Sequence, residues 1–562
     1  MKILIIGGVA GGASTAARIR RLDEHAEIVM FEKGPHVSFS NCCLPYRLSG
    51  AIKEYDDLIL MNPTVFKNQY NIDARVNNEV VKINKEAKTV TVKNVLTNEE
   101  YEEGYDRLVV SPGANAIVPP IKNIEGANTF IVKNVVDVTR LNEFITKNNC
   151  KKITVVGGGF IGCETAENLK EAGYDVTLVE ALPQIMKPFD YDMVQILHKE
   201  MYDNGIHLVL ADKVCEFIGS NVKLESGKVV ESDAVVLAIG VTPDTKLCRE
   251  AGLELTQRGA IVVDHNYRTS DPNIYAVGDA IQVFNALTHK PQQLPLAGPA
   301  QKQARQAADS IYGRTVRNTG YIGSSCIKVF NYNAASTGLT ARDCEALGLQ
   351  FDYVYIIPQD KVGIMPGACP LHYKLIFEVP TGRVLGAQCI SKGDAAKRVD
   401  IVATLIKFGG TIDDLRDLEL CYAPPFGTAK DAGNHAALVA ENLMNGMFRQ
   451  VHVDEIRGLW EKGAYIIDVR EEDEYALSHI KGAHNIPLSQ IRDRLSEIPT
   501  DQPIYLHCRS SQRSYNACRC LIGNGFTNVY NISGSYLGIS FNEYFNDVTL
   551  NRESMLTDYN FN

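Results

Sequence analysis

The sequence contains no run of about 18 apolar residues, so no segment is expected to cross a membrane. Its 14 cysteines form no Cys-x-x-Cys pair and its 12 histidines show no ligand spacing, which predicts neither a metal site nor a disulfide scaffold. Positive charge is in deficit, because 57 basic residues face 67 acidic ones for a net charge of −10. This balance argues against binding nucleic acid or an anionic membrane through bulk charge. We therefore expect a cytoplasmic protein that binds neither.

The remaining composition is that of an ordinary globular protein, with 45% hydrophobic and 22% charged residues over 562 positions. Strand and helix patterns alternate along the chain, so we predict an α/β fold. The expected parts are a nucleotide-binding domain formed by residues 1–115 and 243–320, a second nucleotide-binding domain at 116–242, a mixed α/β domain at 321–446, and a small α/β domain at 447–562 that ends in a polar tail.

A glycine pattern of the form G-x-G-x-x-G follows the strand-like segment KITVVG, with Gly157, Gly159 and Gly162 at its fixed positions. These glycines allow a tight turn, a close approach to a pyrophosphate and close helix packing, and Phe160 begins the helix that faces the phosphates. Glu180 ends the next strand, where a carboxylate accepts hydrogen bonds from the ribose 2′-hydroxyl and repels a 2′-phosphate. The pattern predicts a dinucleotide site that prefers NADH to NADPH.

A related pattern opens the chain, where the strand-like segment KILIIG leads into a second glycine turn. Val9 occupies the second fingerprint position, which is a departure from the pattern. Glu32 ends the following strand, in the same place as Glu180 in the other unit. Two such units in one chain imply two nucleotide sites. The candidate binding residues of this first turn are Gly7, Gly8, Gly11 and Gly12.

Three later segments resemble parts of the two-dinucleotide flavoproteins. Residues 105–114 resemble their crossover strand, and residues 269–280 resemble their flavin-ribityl motif, whose aspartate corresponds to Asp279. Residues 294–300 resemble the segment that packs on the isoalloxazine. The resemblance implies FAD at the first site and NADH at the second. With Glu32 and the first glycine turn, the residues it assigns to FAD are Ser111, Pro112, Gly113, Gly278, Asp279, Pro295 and Ala297.

The C-x-x-x-x-C spacing of most flavin disulfide reductases is absent, and the chain instead has Ser38-Phe39-Ser40-Asn41-Cys42-Cys43-Leu44-Pro45-Tyr46. This stretch resembles the active-site segment of coenzyme A disulfide reductases and NADH-dependent persulfide reductases. The resemblance implies that Cys42 is the nucleophile, that Cys43 stands where the family has a small residue, and that Ser38 and Asn41 hold the thiol substrate. The adjacent cysteines also leave open a vicinal disulfide. One cysteine suffices if a small thiol brings the second sulfur.

The same resemblance extends to residues outside this segment. Arg18 and Arg21, early on the first helix, either bind coenzyme A phosphates or lie on a solvated helix face. Tyr422, in the segment LCYAPPFG, matches a family tyrosine that lies beside the partner's cysteine and serves as an acid or hydrogen-bond donor to the leaving thiolate. A second family tyrosine is missing, since residues 363–367 read GIMPG. Block 325–446 resembles the family's dimerisation domain, which implies a homodimer with shared active sites.

A further cysteine, Cys508, ends the strand-like segment IYLHC and begins a loop before a helical pattern. A thiolate at a helix N-terminus, surrounded by loop amides, has a lowered pKa. The loop resembles that of rhodanese, whose cysteine carries a persulfide; an inactive structural module is the alternative. Arg513 lies five residues after the cysteine rather than six, which favours a sulfur-sized loop over a phosphate-sized one. The loop residues are Arg509, Ser510, Ser511, Gln512 and Arg513.

Taken together, these features predict an FAD-dependent enzyme that uses NADH to reduce persulfide, polysulfide or coenzyme A disulfide through Cys42, while Cys508 handles sulfane sulfur. Coenzyme A is expected either as a substrate or as a bound thiol. One alternative is an NADH oxidase or peroxidase whose cysteine cycles through sulfenic acid. Another is a sulfur carrier that passes a persulfide from Cys508 to a partner protein.

Overall fold

The computed structural model describes residues 1–561. The chain forms two compact units, and each takes residues from two stretches of sequence. The first unit combines Met1–Leu182 with Val209–Tyr321, and the second combines Pro183–Leu208 with the chain from Ile322 onward. No helix in the described part of the chain is long and apolar enough to cross a membrane.

The first 321 residues are rich in short strands. The strands are β1 (Lys2–Ile6), β2 (Glu27–Phe31), β3 (Asp73–Arg75), β4 (Asn78–Asn84), β5 (Thr89–Asn94), β6 (Glu100–Gly104), β7 (Arg107–Val110), β8 (Ala114–Ala116), β9 (Thr129–Phe130), β10 (Lys152–Val156), β11 (Asp175–Val179), β12 (His207–Val209), β13 (Val214–Ile218), β14 (Asn221–Leu224), β15 (Val229–Val230), β16 (Ala234–Leu237), β17 (Val241–Pro243), β18 (Ile274–Ala276), β19 (Val283–Phe284) and β20 (Pro291–Gln292). The helices are α1 (Ala10–Leu22), α2 (Pro63–Tyr70), α3 (Val135–Lys147), α4 (Phe160–Glu171), α5 (Tyr191–Asp203), α6 (Lys246–Glu250) and α7 (Ala297–Ile311).

The later part of the chain has longer strands and more helices. Its strands are β21 (Ser325–Val329), β22 (Tyr332–Gly338), β23 (Phe351–Ile356), β24 (Leu371–Glu378), β25 (Val384–Ser391), β26 (Arg449–Val451), β27 (Tyr465–Asp468), β28 (His484–Asn485), β29 (Ile504–His507) and β30 (Val529–Ile532). Its helices are α8 (Ala341–Leu347), α9 (Ala396–Phe408), α10 (Ile412–Asp417), α11 (Ala432–Met444), α12 (Ile456–Glu461), α13 (Glu472–Leu477), α14 (Gln512–Gly523) and α15 (Ser535–Leu550).

Two parallel sheets form the centre of the first unit. In the first sheet the order is β18-β7-β1-β2-β3, and in the second β11-β10-β16-β9 are paired in parallel. Strands β1 and β10 are almost entirely buried, as expected for parallel strands covered on both faces. In each sheet a glycine turn leaves the carboxyl end of the central strand and enters a helix, α1 or α4. Ligands bind at this edge of such sheets, so both turns point to a binding site.

The second unit contains an antiparallel and a parallel sheet. The antiparallel sheet has the order β21-β22-β25-β24-β23, and the parallel sheet has the order β26-β30-β29-β27-β28. Strands β24 and β25 are buried along nearly their whole length, which makes the antiparallel sheet the core of this unit. Strand β29 is central in the parallel sheet, and its carboxyl end leads directly into the Cys508 loop.

Helix α5 lies in the second unit, although the sequence places it inside the predicted 116–242 domain. A buried ionic cluster explains this position: Lys374 Nζ of β24 is 3.1 Å from Asp190 Oδ2 and 3.0 Å from Asp192 Oδ1, both at the start of α5. The opposite part of the helix packs on α15, where the rings of His198 and Phe545 are 5.1 Å apart. The helix is therefore held by contacts between distant parts of the sequence.

The last residues, expected as a polar tail, pack against the domain that precedes them. Met555 and Leu556 are buried, and Leu556 forms a β-bridge with Ile480. Tyr559 donates its hydroxyl proton to Asp547 Oδ2 of α15 at 2.5 Å. The segment is mostly polar in composition, and its buried Met555 and Leu556 fix it against the domain.

Candidate active site

The first glycine turn brings three segments of the chain together. Gly7 has φ +94°, and a Cβ there would lie 2.0 Å from the Ser111 carbonyl oxygen, so only glycine fits. Glu32, at the end of β2, accepts the Gly8 N–H at 3.0 Å and the Gly34 N–H at 2.9 Å. The carboxylate therefore lies at the tip of the turn, where the sequence predicts the adenosine ribose. Gly11 and Gly12 follow in the first turn of α1 and are buried.

The predicted flavin-ribityl residues lie at the same edge of the first sheet. Gly278 and Asp279 follow β18, and the Gly278 N–H donates to Gln303 Oε1 of α7 at 2.7 Å. Desolvation raises the pKa of the Asp279 carboxyl, and the Lys133 ammonium offsets part of this shift. A half-buried carboxyl at this edge can accept hydrogen bonds from the hydroxyl groups of a bound ligand.

The other residues assigned to the first site are arranged around this edge. Ser111 follows β7 and donates its N–H to Ile6 O at 2.8 Å, which ties the crossover strand to β1. Pro295 precedes α7 and Ala297 begins it. The glycine turn, the Glu32 carboxylate and Asp279 together fit an FAD molecule extended across the end of the sheet. The predicted FAD residues in the segment after β7 are Ser111, Pro112 and Gly113.

The second glycine turn repeats the arrangement of the first. Gly157 has φ +109°, and a Cβ there would lie 2.4 Å from the Ala238 carbonyl oxygen. Glu180 accepts the Gly158 N–H at 2.6 Å and the Leu182 N–H at 2.8 Å, as Glu32 does for its own turn. A Cβ at Gly159 would meet nothing within 4 Å, so the backbone is open where a pyrophosphate would approach. This turn therefore fits a dinucleotide with a free ribose 2′-hydroxyl.

Cys42 lies on a short 3₁₀ turn formed by Asn41–Cys43, which a second 3₁₀ turn at Pro45–Arg47 follows. Its side chain is exposed and Cys43 is half-buried, and both thiols are free. The vicinal disulfide left open by the sequence is not formed. Asn41 Oδ1 is buried and has no hydrogen-bond partner among the described residues, which marks a position where a ligand donor would fit.

The turn that carries Cys42 is hydrogen-bonded to both dinucleotide elements. At one end, the Ser38 N–H donates to the Gly8 carbonyl oxygen of the first glycine turn at 2.8 Å. At the other end, the Tyr46 hydroxyl donates to Glu164 Oε1 of α4 at 3.4 Å, and Ser49 Oγ donates to Asn168 Oδ1 at 2.6 Å. The exposed thiol is thus held between the element expected to bind FAD and the helix expected to bind NADH.

The surroundings of this turn disfavour the thiolate form of Cys42. Desolvation and then the Glu164 carboxylate raise the pKa of the Cys42 thiol, while Lys133 lowers it in part. Burial raises the pKa of the Glu164 carboxyl to about 7, although the hydrogen bond from Tyr46 lowers it. Sequence reasoning missed Glu164, Tyr46 and Lys133, although Glu164 follows the glycine motif by two residues and could have been found there.

The two arginines predicted to bind phosphates lie in the second half of α1 rather than early on it, because the helix begins at Ala10 and ends at Leu22. Their surroundings differ. Arg18 donates two hydrogen bonds to Asp309 Oδ1 of α7, at 3.0 and 2.5 Å. This ion pair occupies the guanidinium, which argues against the predicted role of Arg18 in binding phosphate. Arg21 is exposed and lies 5.6 Å from the centre of the Tyr70 ring, so its charge is available to a ligand.

Tyr422 lies in the irregular segment between α10 and α11 of the second unit and is 50% exposed. Ile364, in the GIMPG stretch that lacks the family's second tyrosine, is 92% exposed. The predicted contact of Tyr422 with the partner's cysteine stays a prediction.

Cys508 is enclosed by the loop and by two serines that the sequence did not suggest. Its side chain is only 1% exposed. Ser514 Oγ donates to Cys508 Sγ at 3.6 Å, and Ser535 Oγ lies 4.0 Å from the same sulfur and accepts the Cys508 N–H at 3.2 Å. These hydroxyls can stabilise a sulfur anion. Ser514 comes from α14 and Ser535 from the start of α15, so only the folded chain brings them together.

The arginines of the loop also differ from each other. Arg513 forms a bidentate ion pair with Glu474 of α13, at 2.6 and 2.7 Å. Burial lowers the pKa of the Arg509 guanidinium, which Glu474 partly counters. Ser511 adopts a positive φ of 76° before Gln512 begins α14, and this bend closes the loop, which also contains Ser510.

Comparison with known proteins agrees with this architecture. A model of the pyridine nucleotide-disulphide oxidoreductase family matches residues 1–304, its dimerisation-domain model matches residues 324–432, and a rhodanese-like domain model matches residues 452–541. The chain belongs to the pyridine nucleotide-disulphide oxidoreductase family. The predicted fold class is thereby confirmed, and the protein is a flavin oxidoreductase that acts on sulfur groups, with FAD and NAD(H) as its cofactors.

Three relatives illustrate how far the similarity to this oxidoreductase extends. Coenzyme A disulfide reductase of Staphylococcus epidermidis is 35% identical over 434 residues, which are 77% of this chain and 98% of that protein. The crystal structure of reduced Bacillus anthracis CoADR-RHD has a TM-score of 0.93 and 44% identity, covering 97% of this chain and 98% of that one. The NAD-dependent persulfide reductase from A. fulgidus has a TM-score of 0.91 and 33% identity, covering 96% and 100%.

Proposed function

We propose that the chain is an NADH-dependent flavoenzyme that reduces coenzyme A disulfide, coenzyme A persulfide or polysulfide through the single cysteine Cys42. The observation that carries this proposal is the position of the turn that bears Cys42. Its ends are hydrogen-bonded to Gly8 of the first glycine turn and to Glu164 of α4, so an exposed thiol lies between the two dinucleotide elements. The relatives named as coenzyme A disulfide and persulfide reductases support the same substrates.

The chemistry follows from thiol–disulfide exchange. The Cys42 thiolate attacks the outer sulfur of a persulfide R–S–S–H, the S–S bond breaks, and R–S⁻ leaves and takes up a proton. Cys42 then carries the transferred sulfur as a persulfide of its own. Bound by the first glycine turn, Glu32 and Asp279, FAD would supply the two-electron chemistry that links NADH to this sulfur. The second S–S bond breaks, hydrogen sulfide leaves, and each turnover consumes one NADH and one proton.

Several chain groups would hold a coenzyme A thiol beside Cys42. Asn41 precedes Cys42, and its unpartnered Oδ1 can accept a hydrogen bond from the substrate, while Ser38 begins the same segment. Arg21 offers an exposed guanidinium for phosphate, whereas Arg18 is paired with Asp309.

The remaining parts of the proposal concern the second unit. Cys508 handles sulfane sulfur, since its sulfur is enclosed by Ser514 and Ser535 hydroxyls as a bound persulfide anion would need. We propose a homodimer in which Tyr422 of each subunit serves the other subunit's Cys42. The dimerisation-domain match supports the homodimer. The domain boundaries and the cytoplasmic location given in the sequence analysis stay predictions.

The test is NADH oxidation by the purified holoenzyme with coenzyme A disulfide, coenzyme A persulfide, polysulfide or oxygen as the acceptor. We expect turnover with the sulfur compounds, release of hydrogen sulfide from the persulfide, and complete loss in Cys42→Ser but not in Cys215→Ser, an exposed control cysteine. Oxygen-dependent NADH consumption without any response to the sulfur compounds would establish the oxidase instead. If Cys42→Ser kept sulfur delivery and Cys508→Ser lost it, the chain would be a sulfur carrier.

A further inference from the structure

Strand β23 of the antiparallel sheet lies directly behind the Cys508 loop. Tyr355, near the end of β23, is buried, and its backbone is joined to the segment that follows β30. The Gly534 N–H donates to the Tyr355 carbonyl oxygen at 3.2 Å, and the Tyr355 N–H donates to Ser533 Oγ at 3.2 Å. These hydrogen bonds join the edge strand of the antiparallel sheet to the domain that contains Cys508.

The ring of Tyr355 fills the space left by two glycines of that segment. A Cβ at Gly534 would lie 2.8 Å from Tyr355 Cδ1, and a Cβ at Gly538 would lie 3.3 Å from Tyr355 Cε1. Gly534 also has a positive φ of 77°. The absence of a side chain at both positions therefore leaves room for the ring of Tyr355 to pack against this backbone, and a Cβ at Gly534 would displace the ring.

This same backbone holds the cysteine. Ser535 Oγ accepts the Cys508 N–H at 3.2 Å, and the Tyr536 N–H donates to the Cys508 carbonyl oxygen at 3.0 Å. The Leu537 N–H donates to the Arg509 carbonyl oxygen at 3.1 Å. Three consecutive residues thus fix the first two residues of the loop, and all three lie between the glycines that Tyr355 supports.

The Tyr355 hydroxyl has its own buried partner. It lies 2.6 Å from His372 Nδ1 of β24, and the His372 side chain is also buried. Burial and the charge of Arg509 lower the pKa of His372 to about 3, so the imidazole is neutral at working pH. The hydrogen bond fixes the ring of Tyr355 against rotation of its side chain, and it places a neutral ring rather than a charge near Arg509.

We propose that Tyr355 of the dimerisation domain is a positioning residue of the Cys508 sulfur site. The contacts run from Tyr355 through Ser533 and Gly534 to Ser535 and Cys508, so the antiparallel sheet sets where the sulfur lies relative to the loop amides and the Ser514 hydroxyl. The inference rests on the proposed role of Cys508 as a carrier of sulfane sulfur. It goes beyond that role because it places part of the site in a different domain.

The test uses thiosulfate as the sulfur donor and cyanide as the acceptor, with the full-length holoenzyme. The Cys508 thiolate takes the outer sulfur of thiosulfate and releases sulfite; cyanide then removes that sulfur as thiocyanate and restores the thiolate. We expect Tyr355→Ala to lower kcat for this transfer by roughly tenfold, because small displacements of a reacting group are costly. Tyr355→Phe, which loses only the hydrogen bond to His372, is expected to fall between Tyr355→Ala and the parent.

Two further measurements separate positioning from a loss of folding. The pH profile of Cys508 alkylation, followed on its peptide by mass spectrometry, is expected to shift in Tyr355→Ala and in Gly534→Ala, whose added Cβ would push the same ring away. Tyr530→Ala, which removes a ring stacked on Tyr505 in the same domain, is the matched control and is expected to keep the parent profile. Reduction of the bound flavin by NADH is expected to be unchanged in all these variants.

The outcomes distinguish this inference from the function on which it rests. If Cys508→Ser abolished the transfer while the Tyr355 and Gly534 variants, all folded, kept the parent kcat and alkylation profile, the positioning role would be overturned alone. If Cys508→Ser itself kept the transfer, the proposed role of Cys508 would fail first. A folded Tyr355→Phe protein keeps the test decisive even where the alanine variant does not fold.

Discussion

Cys42 and Cys508 are both free thiols on turns at the ends of strands or helices, yet their surroundings are opposite. Cys42 is exposed, its pKa is raised, and no side-chain hydroxyl among the described residues donates to its sulfur. Cys508 is 1% exposed and lies beside the hydroxyls of Ser514 and Ser535. Under the proposed function, the first site would take a large disulfide that arrives from solution, and the second would hold a small sulfur species on the protein. The proposal therefore assigns exchange to Cys42 and storage to Cys508.

The largest expected difference between the two sites is in their access to bulky reagents. We expect a large maleimide to modify Cys42 at least roughly tenfold faster than Cys508, since burial limits reaction to transient opening. Peptide mass spectrometry after timed quenching measures both rates in one sample, and exposed Cys421 serves as an internal reference. Equal modification rates at Cys42 and Cys508 would contradict the difference in accessibility between the two thiols.

The second expected difference concerns one hydroxyl group beside the Cys508 sulfur. Ser514→Ala removes the donor 3.6 Å from the Cys508 sulfur, and we expect transfer from thiosulfate to cyanide to fall about fivefold, which corresponds to about 1 kcal/mol for one hydrogen bond. Ser540→Ala is the matched control, because Ser540 is also buried and donates to the Tyr536 carbonyl oxygen, without a hydrogen bond to Cys508. A similar loss in both variants would show that buried serines matter only for stability.

The exposed site is expected to respond to the charge of Glu164. This carboxyl has a pKa of about 7, so it is charged at pH 8 and mostly neutral at pH 5.5. Its charge raises the pKa of Cys42, and Glu164→Gln should therefore speed Cys42 alkylation roughly threefold at pH 8 and leave it unchanged at pH 5.5. Glu171→Gln, at the exposed end of the same helix, is the control. An unchanged rate at pH 8 would exclude this coupling.

The smallest effect is expected at the neighbour of Cys42. Cys43 is half-buried and free, and it forms no disulfide with Cys42. We expect Cys43→Ala to change NADH-dependent reduction of coenzyme A disulfide by less than about twofold, as for a packing residue. Steady-state kinetics with a thiol count before and after NADH addition measures this. A loss comparable to that of Cys42→Ser would assign Cys43 a part in the exchange.

The sequence predicts best those features that depend on neighbouring residues. The two glycine turns, Glu32 and Glu180 lie where the spacing places them, because a strand, a turn and a helix form one local unit. The same holds for Cys508 between β29 and α14. Such features need no knowledge of distant contacts.

Features that depend on distant partners could not be read from the spacing alone. Arg18 forms an ion pair with Asp309, and Arg513 forms one with Glu474. No residue near either arginine in the sequence indicates which carboxylate it will meet. Helix α5 belongs to the second unit because Lys374, nearly two hundred residues later in the sequence, is buried beside Asp192 of that helix. Ser535 reaches the Cys508 sulfur in the same way, from the start of a helix in another part of the domain.

The contact of α5 with α15 has a consequence for anyone who would shorten this protein. Truncating the chain after residue 446 would remove Phe545 of α15, which packs on the rings of His198 and Tyr202. Both rings would then be exposed to water on that side. A stand-alone reductase made from this gene would need polar replacements on that side of α5, or it would be prone to self-association.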